Sequence, residues 1–164
     1  MPKETRWHQK VKEALKKLGE EKGYDVSESE QEILLASRFK RFSNEKREIH
    51  ALSYRPDVVW KKRHIYRAIF EVEYLNPRSK MHLMDKRKYA IGSLMLASLA
   101  RMQKSVECLV FITNDEALCG EIAKFVQSAS IEHLDNTYYL CSSYTAESSL
   151  TKFLRARLMQ KWKI

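Results

Sequence analysis

The sequence predicts an α+β domain of three layers, a mixed central β-sheet flanked by helices on both faces. Three observations carry this. Apolar residues recur at helical spacing in several stretches, and short runs rich in β-formers stand between them. The resulting order is helix, strand, two-stranded hairpin, helix, strand, helix, strand, helix; a hairpin followed by β-α-β units implies a mixed sheet. The 164 residues are 44% hydrophobic with 4 Gly and 3 Pro, which suits one core and leaves little for linkers. Residues 1–164 are therefore read as a single domain.

Taken in order, Trp7, Val11, Leu15 and Leu18 predict a helix over Glu4 to about Glu21, ended by Gly23. Tyr24 to Glu28 alternates like a short strand. Ser37 to Ile49 is strongly basic with weak periodicity. Asp57 to Lys61 and Ile65 to Leu75 are β-rich, and Lys61-Lys62-Arg63-His64 reads as the hairpin turn between them, without the usual Gly or Asn. Asn76-Pro77 stops the second strand. Ser79 to Met102 predicts a long helix, and Ser105 to Thr113 a buried strand. Asn114 or Asp115 can cap a helix running to about Ser128. Thr137 to Ser142 predicts a strand. A last helix runs from Ser148 or Ser149 through Trp162, with Leu150, Phe153, Leu154, Leu158 and Trp162 on its apolar side.

Charge narrows the partners. The formal net charge is +9, with 31% charged residues, which favours a polyanion such as DNA or RNA; a solvated basic surface is the plainer alternative. Arg38, Lys40, Arg41, Lys46 and Arg47, with Lys61, Lys62 and Arg63, form the candidate phosphate-gripping set. Phe39 and Phe42, interleaved there, either stack on unpaired bases or anchor the segment to the core. Cys108, Cys119 and Cys141 lack metal-site spacing and read as thiols of a reducing compartment. The N-terminus is charged rather than apolar, and the most apolar stretch, 90–100, is about half a membrane span. The expectation is a soluble, cytoplasmic protein with no membrane partner.

The 21 acidic residues, against 30 Lys and Arg, include a patterned set. Glu71-Val72-Glu73 falls in a predicted strand, where residues i and i+2 share a face. A hairpin partner beginning at Asp57 can bring a third carboxylate alongside. Such a group repels itself unless a cation sits within it, and hard oxygen donors suit Mg²⁺ or Mn²⁺. The alternative is an ordinary solvated acidic face.

Pro56-Asp57, a hairpin-length gap and Glu71-Val72-Glu73 at the end of an apolar strand resemble the motif of the PD-(D/E)XK nuclease superfamily, in a variant with Glu where the usual lysine stands. The element order from Glu4 to Thr113 also resembles that superfamily's restriction endonuclease-like core, leaving 114–164 peripheral. The resemblance implies a Mg²⁺- or Mn²⁺-dependent phosphodiesterase, with Asp57, Glu71 and Glu73 as metal ligands. Lys86 or Lys88, on the following helix, would replace the lysine displaced by Glu73; a charged helix face is the alternative for both. A further acidic ligand is expected from Glu30, or else Glu28. His8 lies near the same end, as a phosphate contact or a half-buried helix histidine. Three functions follow as expectations: a nuclease acting on DNA more than RNA, an inactive nuclease-fold DNA-binding module, or a subunit docking an acidic partner in a DNA-processing or defence complex. Homodimerisation follows by analogy alone.

Overall fold

The computed structural model describes residues 3–28, 33–34, 53–76, 88, 91–95, 106–129 and 136–164. Helix α1 (Lys3–Glu21) leads into strand β1 (Asp25–Glu28). Gly23 makes the corner at φ 76°, a left-handed conformation that glycine adopts without steric cost. Two short strands, β2 (Ile33–Leu34) and β3 (Ser53–Tyr54), pair with each other and were not expected from the sequence. Next come β4 (Val58–Lys62), β5 (Ile65–Glu73), β6 (Cys108–Thr113), α2 (Glu116–Ala129), β7 (Thr137–Cys141) and α3 (Glu147–Arg155). Lys88 and residues 91–95 are helical, inside the long helix expected from Ser79.

The main sheet has the order β1-β4-β5-β6-β7. β1-β4 and β4-β5 are antiparallel, and β5-β6 and β6-β7 are parallel. The predicted mixed sheet and α+β class are therefore present. The change from antiparallel to parallel falls on β5, the middle strand, which is buried from Ala68 through Glu73.

Strand alternation divides the core. Val58, Trp60, Ala68, Phe70 and Val72 pack with Val11, Leu15 and Leu18 of α1 and with Leu150, Leu154 and Leu158 of the C-terminal helix. Phe111 faces Leu75, Leu94, Leu118 and Ile122 on the opposite side. Trp60 is the hub of the first layer. It is fully buried, donates its Nε1–H to the Leu15 carbonyl at 3.0 Å, stacks with Tyr24 and tilts against Phe70. α1 passes so close here that a Cβ on Gly19 would lie 2.5 Å from Trp60 Nε1.

Two helix ends refine the sequence reading. Asp115, not Asn114, caps α2, accepting from the Leu118 N–H at 2.8 Å. Asn114 instead clamps Leu75 through both backbone groups. The last helix is not regular through Trp162: it widens at Ala156–Lys161 into a π-helical turn, with the Trp162 N–H bonded to the Arg157 carbonyl. Leu150, Leu154, Leu158 and Trp162 are spaced by four, which overshoots the 3.6-residue repeat. The wider turn keeps Leu158 and Trp162 on the core side.

Candidate functional site

The parallel strands end where β4 begins, so the carboxyl ends of β5, β6 and β7 share one end of the sheet with Asp57. Glu71 and Glu73 project from β5 onto the face opposite Trp60 and are 6% and 5% exposed. Buried carboxylates are costly unless hydrogen-bonded or paired, and both make polar contacts. Asp57 precedes the first ladder pair, Val58–Phe70, and stands opposite Glu71.

The Asp57 carboxylate is held inside the protein. One oxygen accepts from the Val72 N–H at 2.9 Å, and the other lies 3.2 Å from His8 Nε2. The local reason is plain. β4 starts after Pro56, so no β4 residue pairs with Val72, and the carboxylate supplies the missing acceptor. Asp57 sits in a bend rather than in the strand, which frees it to turn toward α1. Lys12, one turn beyond His8, is itself buried, with Nζ 4.0 Å from the Glu28 carboxylate on β1. His8, Asp57, Lys12 and Glu28 thus line the α1 side of this end. Glu71 and Glu73 occupy the other side of the sheet.

Among the described residues, no group of three or more His, Cys, Asp and Glu side chains is gathered as a metal site. The three carboxylates match a hard divalent cation in donor type, yet two of them face away from α1 while the third is engaged by His8. Lys88 is exposed on its helix. Glu30, Lys86, Arg38, Lys40, Arg41, Lys46 and Arg47, with Phe39 and Phe42, lie outside the described residues.

The expected phosphate grip from Lys61, Lys62 and Arg63 is not beside the carboxylates. These residues close the β4-β5 hairpin at the far end of the strands, roughly 15 Å from Asp57 at the usual rise per residue. Arg63 has φ 59° and supplies the left-handed residue that Gly or Asn ordinarily provides in such a turn. Lys61 lies over the Tyr66 ring. The hairpin cannot hold the same phosphate that meets Asp57.

Two of the thiols are held toward their neutral form. All three cysteines are free. Burial, then the nearby Cys141 and Glu116, push Cys119 up to about 11. Burial, then Glu116 and Asp115, also raise Cys141. Tyr139, pushed up to about 12 by burial and then by Cys119, is neutral as well.

Sequence reasoning missed Lys12, which looked like one of several helix lysines. The available signal was its place four residues after His8, between Val11 and Leu15 of the apolar face. No helix among the described residues is long and apolar enough to cross a membrane. Comparison with protein families, curated proteins and solved structures finds no match for this chain.

Proposed function

We propose that the chain is a metal-dependent nuclease that hydrolyses phosphodiester bonds, in DNA more readily than in RNA. The observation that carries the reading is a pair of buried glutamates, Glu71 and Glu73, on the middle strand of a chain with net charge +9, at the strand end where Asp57 lies opposite Glu71. The carboxyl ends of parallel strands, where sheet direction changes, are also where open sheets with helices form ligand crevices.

With Asp57 turned from His8 to the face of Glu71, which it stands opposite, the three carboxylates Asp57, Glu71 and Glu73 would hold Mg²⁺ or Mn²⁺, a Lewis acid that would polarise a phosphoryl oxygen and activate water. The chain's own groups do the remainder. Val72 N–H and His8 hold the Asp57 carboxylate on the α1 side until it turns. Lys12, buried on the α1 side of this end with Nζ 4.0 Å from Glu28, supplies a positive charge on the face that His8 and Asp57 share, across the sheet from Glu73.

A second reading has its own observation. Both Asp57 oxygens are engaged within the protein, and the described residues gather no three-ligand group. A nucleic-acid-binding module without turnover fits that arrangement, and its binding would depend on salt but not on divalent metal.

Incubation with plasmid and single-stranded DNA in Mg²⁺ or Mn²⁺ separates the two. The nuclease reading expects cleavage that EDTA abolishes and that Asp57→Asn or Glu71→Gln lowers by about 10²–10³-fold. Asn at 57 retains an acceptor for Val72, so a loss reflects the site rather than the fold. Binding without cleavage establishes the second reading, and cleavage untouched by both substitutions rejects the first.

A further inference from the structure

The end of the sheet away from the carboxylates has its own organisation. Two clefts of about 430 Å³ each open there, on either side of an ion pair between Arg67 of β5 and Glu107, just before β6. One is lined by Tyr24, Lys62, Arg63 and Ile65, the other by Asn136, Tyr138, Trp162 and Lys163. Arg67 and Glu107 border both, so the clefts read as one groove crossed by a salt bridge.

Three features mark this groove as more than a solvated rim. The first is charge. Lys62, Arg63 and Lys163 are exposed, and none has a carboxylate partner among the described residues. The lining carboxylate side chain, Glu107, is engaged by Arg67.

The second is aromatic lining on both sides. Tyr24 stacks on Trp60, and Tyr138 stacks on Trp162 at 4.5 Å between centroids with 12° between planes; all but Trp60 are part-exposed. Ile65, 54% exposed, adds an apolar surface beside Tyr24.

The third is backbone. Arg63, Asn136 and Lys163 are the non-glycine residues with left-handed φ among those described, and all three line this groove. Left-handed Arg and Lys are disfavoured sterically, and such conformations collect at functional sites. The π-helical turn at Ala156–Lys161 ends beside it and delivers Trp162 and Lys163.

We infer that this groove binds a single-stranded nucleic acid. Its phosphates meet Lys62, Arg63 and Lys163, and its bases lie against Tyr24 and the Tyr138–Trp162 stack. Paired cations and ring faces in a concave groove suit an unpaired strand, whereas a duplex presents its phosphates outward and hides its bases. The surface rests on the nucleic-acid part of the reading above and is independent of the metal part: Asp57 lies at the other end of β4.

The test is fluorescence anisotropy of a labelled thymidine oligonucleotide and of a matched duplex, in EDTA across a salt series. The variant Lys62→Gln/Arg63→Gly/Lys163→Gly removes three charges, with glycine accepting the left-handed backbone at two positions. A control, Lys16→Gln/Lys124→Gln/Lys152→Gln, removes three exposed charges elsewhere. Melting curves check that both fold. We expect the groove variant to weaken single-strand binding by about tenfold or more and to lower the slope of log affinity against log salt by about 2, with a much smaller effect from the control. Trp162→Ala, with the cations intact, is expected to weaken single-strand binding alone. Equal loss from both triple variants, a preference for duplex, or no binding by the parent chain overturns the inference. Because no metal is present, these results stand apart from the cleavage assay, and a failure of one leaves the other readable.

Discussion

The two ends of the central sheet are built in opposite ways. At the carboxyl ends of the parallel strands, charge is inside: Glu71, Glu73 and Lys12 are buried, and Asp57 is bonded to His8 and to backbone. At the hairpin end, charge is outside: Lys62, Arg63 and Lys163 reach solvent around a salt bridge and two ring stacks. A buried charge is kept only when its surroundings hold it in one geometry, which is what chemistry on a single phosphate requires. Exposed cations hold a flexible polyanion without fixing any one atom. Under the proposed reading, the first end reacts and the second grips.

The largest effect is expected from disturbing α1, which belongs to the first end through His8 and Lys12. Gly19→Ala would push a methyl to 2.5 Å from Trp60 Nε1 and 2.6 Å from Val26 Cγ2. Thermal or urea unfolding should show a loss of about 1–3 kcal/mol, as overpacking of a dense core does. Asp57→Ala comes next. It removes the acceptor of the Val72 N–H and the partner of His8, and an orphaned, part-buried donor costs about 1–3 kcal/mol; Asp57→Asn should recover part of that in the same unfolding experiment. The smallest effect belongs to the hairpin end and has the opposite sign. Arg63→Gly relieves a left-handed conformation worth about 1–2 kcal/mol, against about 0.5–1 kcal/mol of added flexibility, for a net gain of roughly 0.5–1 kcal/mol in denaturant. A gain in stability with weaker nucleic-acid binding would show that Arg63 is kept for its charge at a cost in stability.

The sequence revealed these two ends unequally. Glu71 and Glu73 stood out because they lie at i and i+2 between apolar residues of a β-run, against the alternative of a solvated acidic face, and the hairpin between β4 and β5 followed from β-formers on either side of a charged turn. Those are local patterns. The engagement of Asp57 by His8 joins residues 49 positions apart and depends on where α1 crosses the sheet, which periodicity does not encode. The groove was less legible still. Arg67, Glu107, Asn136 and Trp162 meet only through the parallel register of β5, β6 and β7 and the π-turn that ends the last helix. The left-handed Arg63 was hidden because arginine carries none of the usual signal for that conformation, and the structure, rather than the residue type, imposes it.

The carboxylates of β5 and Asp57 are proposed to receive one divalent cation. Titrating Mn²⁺ into the protein while following the free ion by electron paramagnetic resonance tests it without any substrate. One saturable site per chain, weakened about tenfold or more by Glu71→Gln, is the predicted result. The absence of saturable binding, or a site indifferent to Glu71→Gln and Asp57→Asn alike, would contradict it.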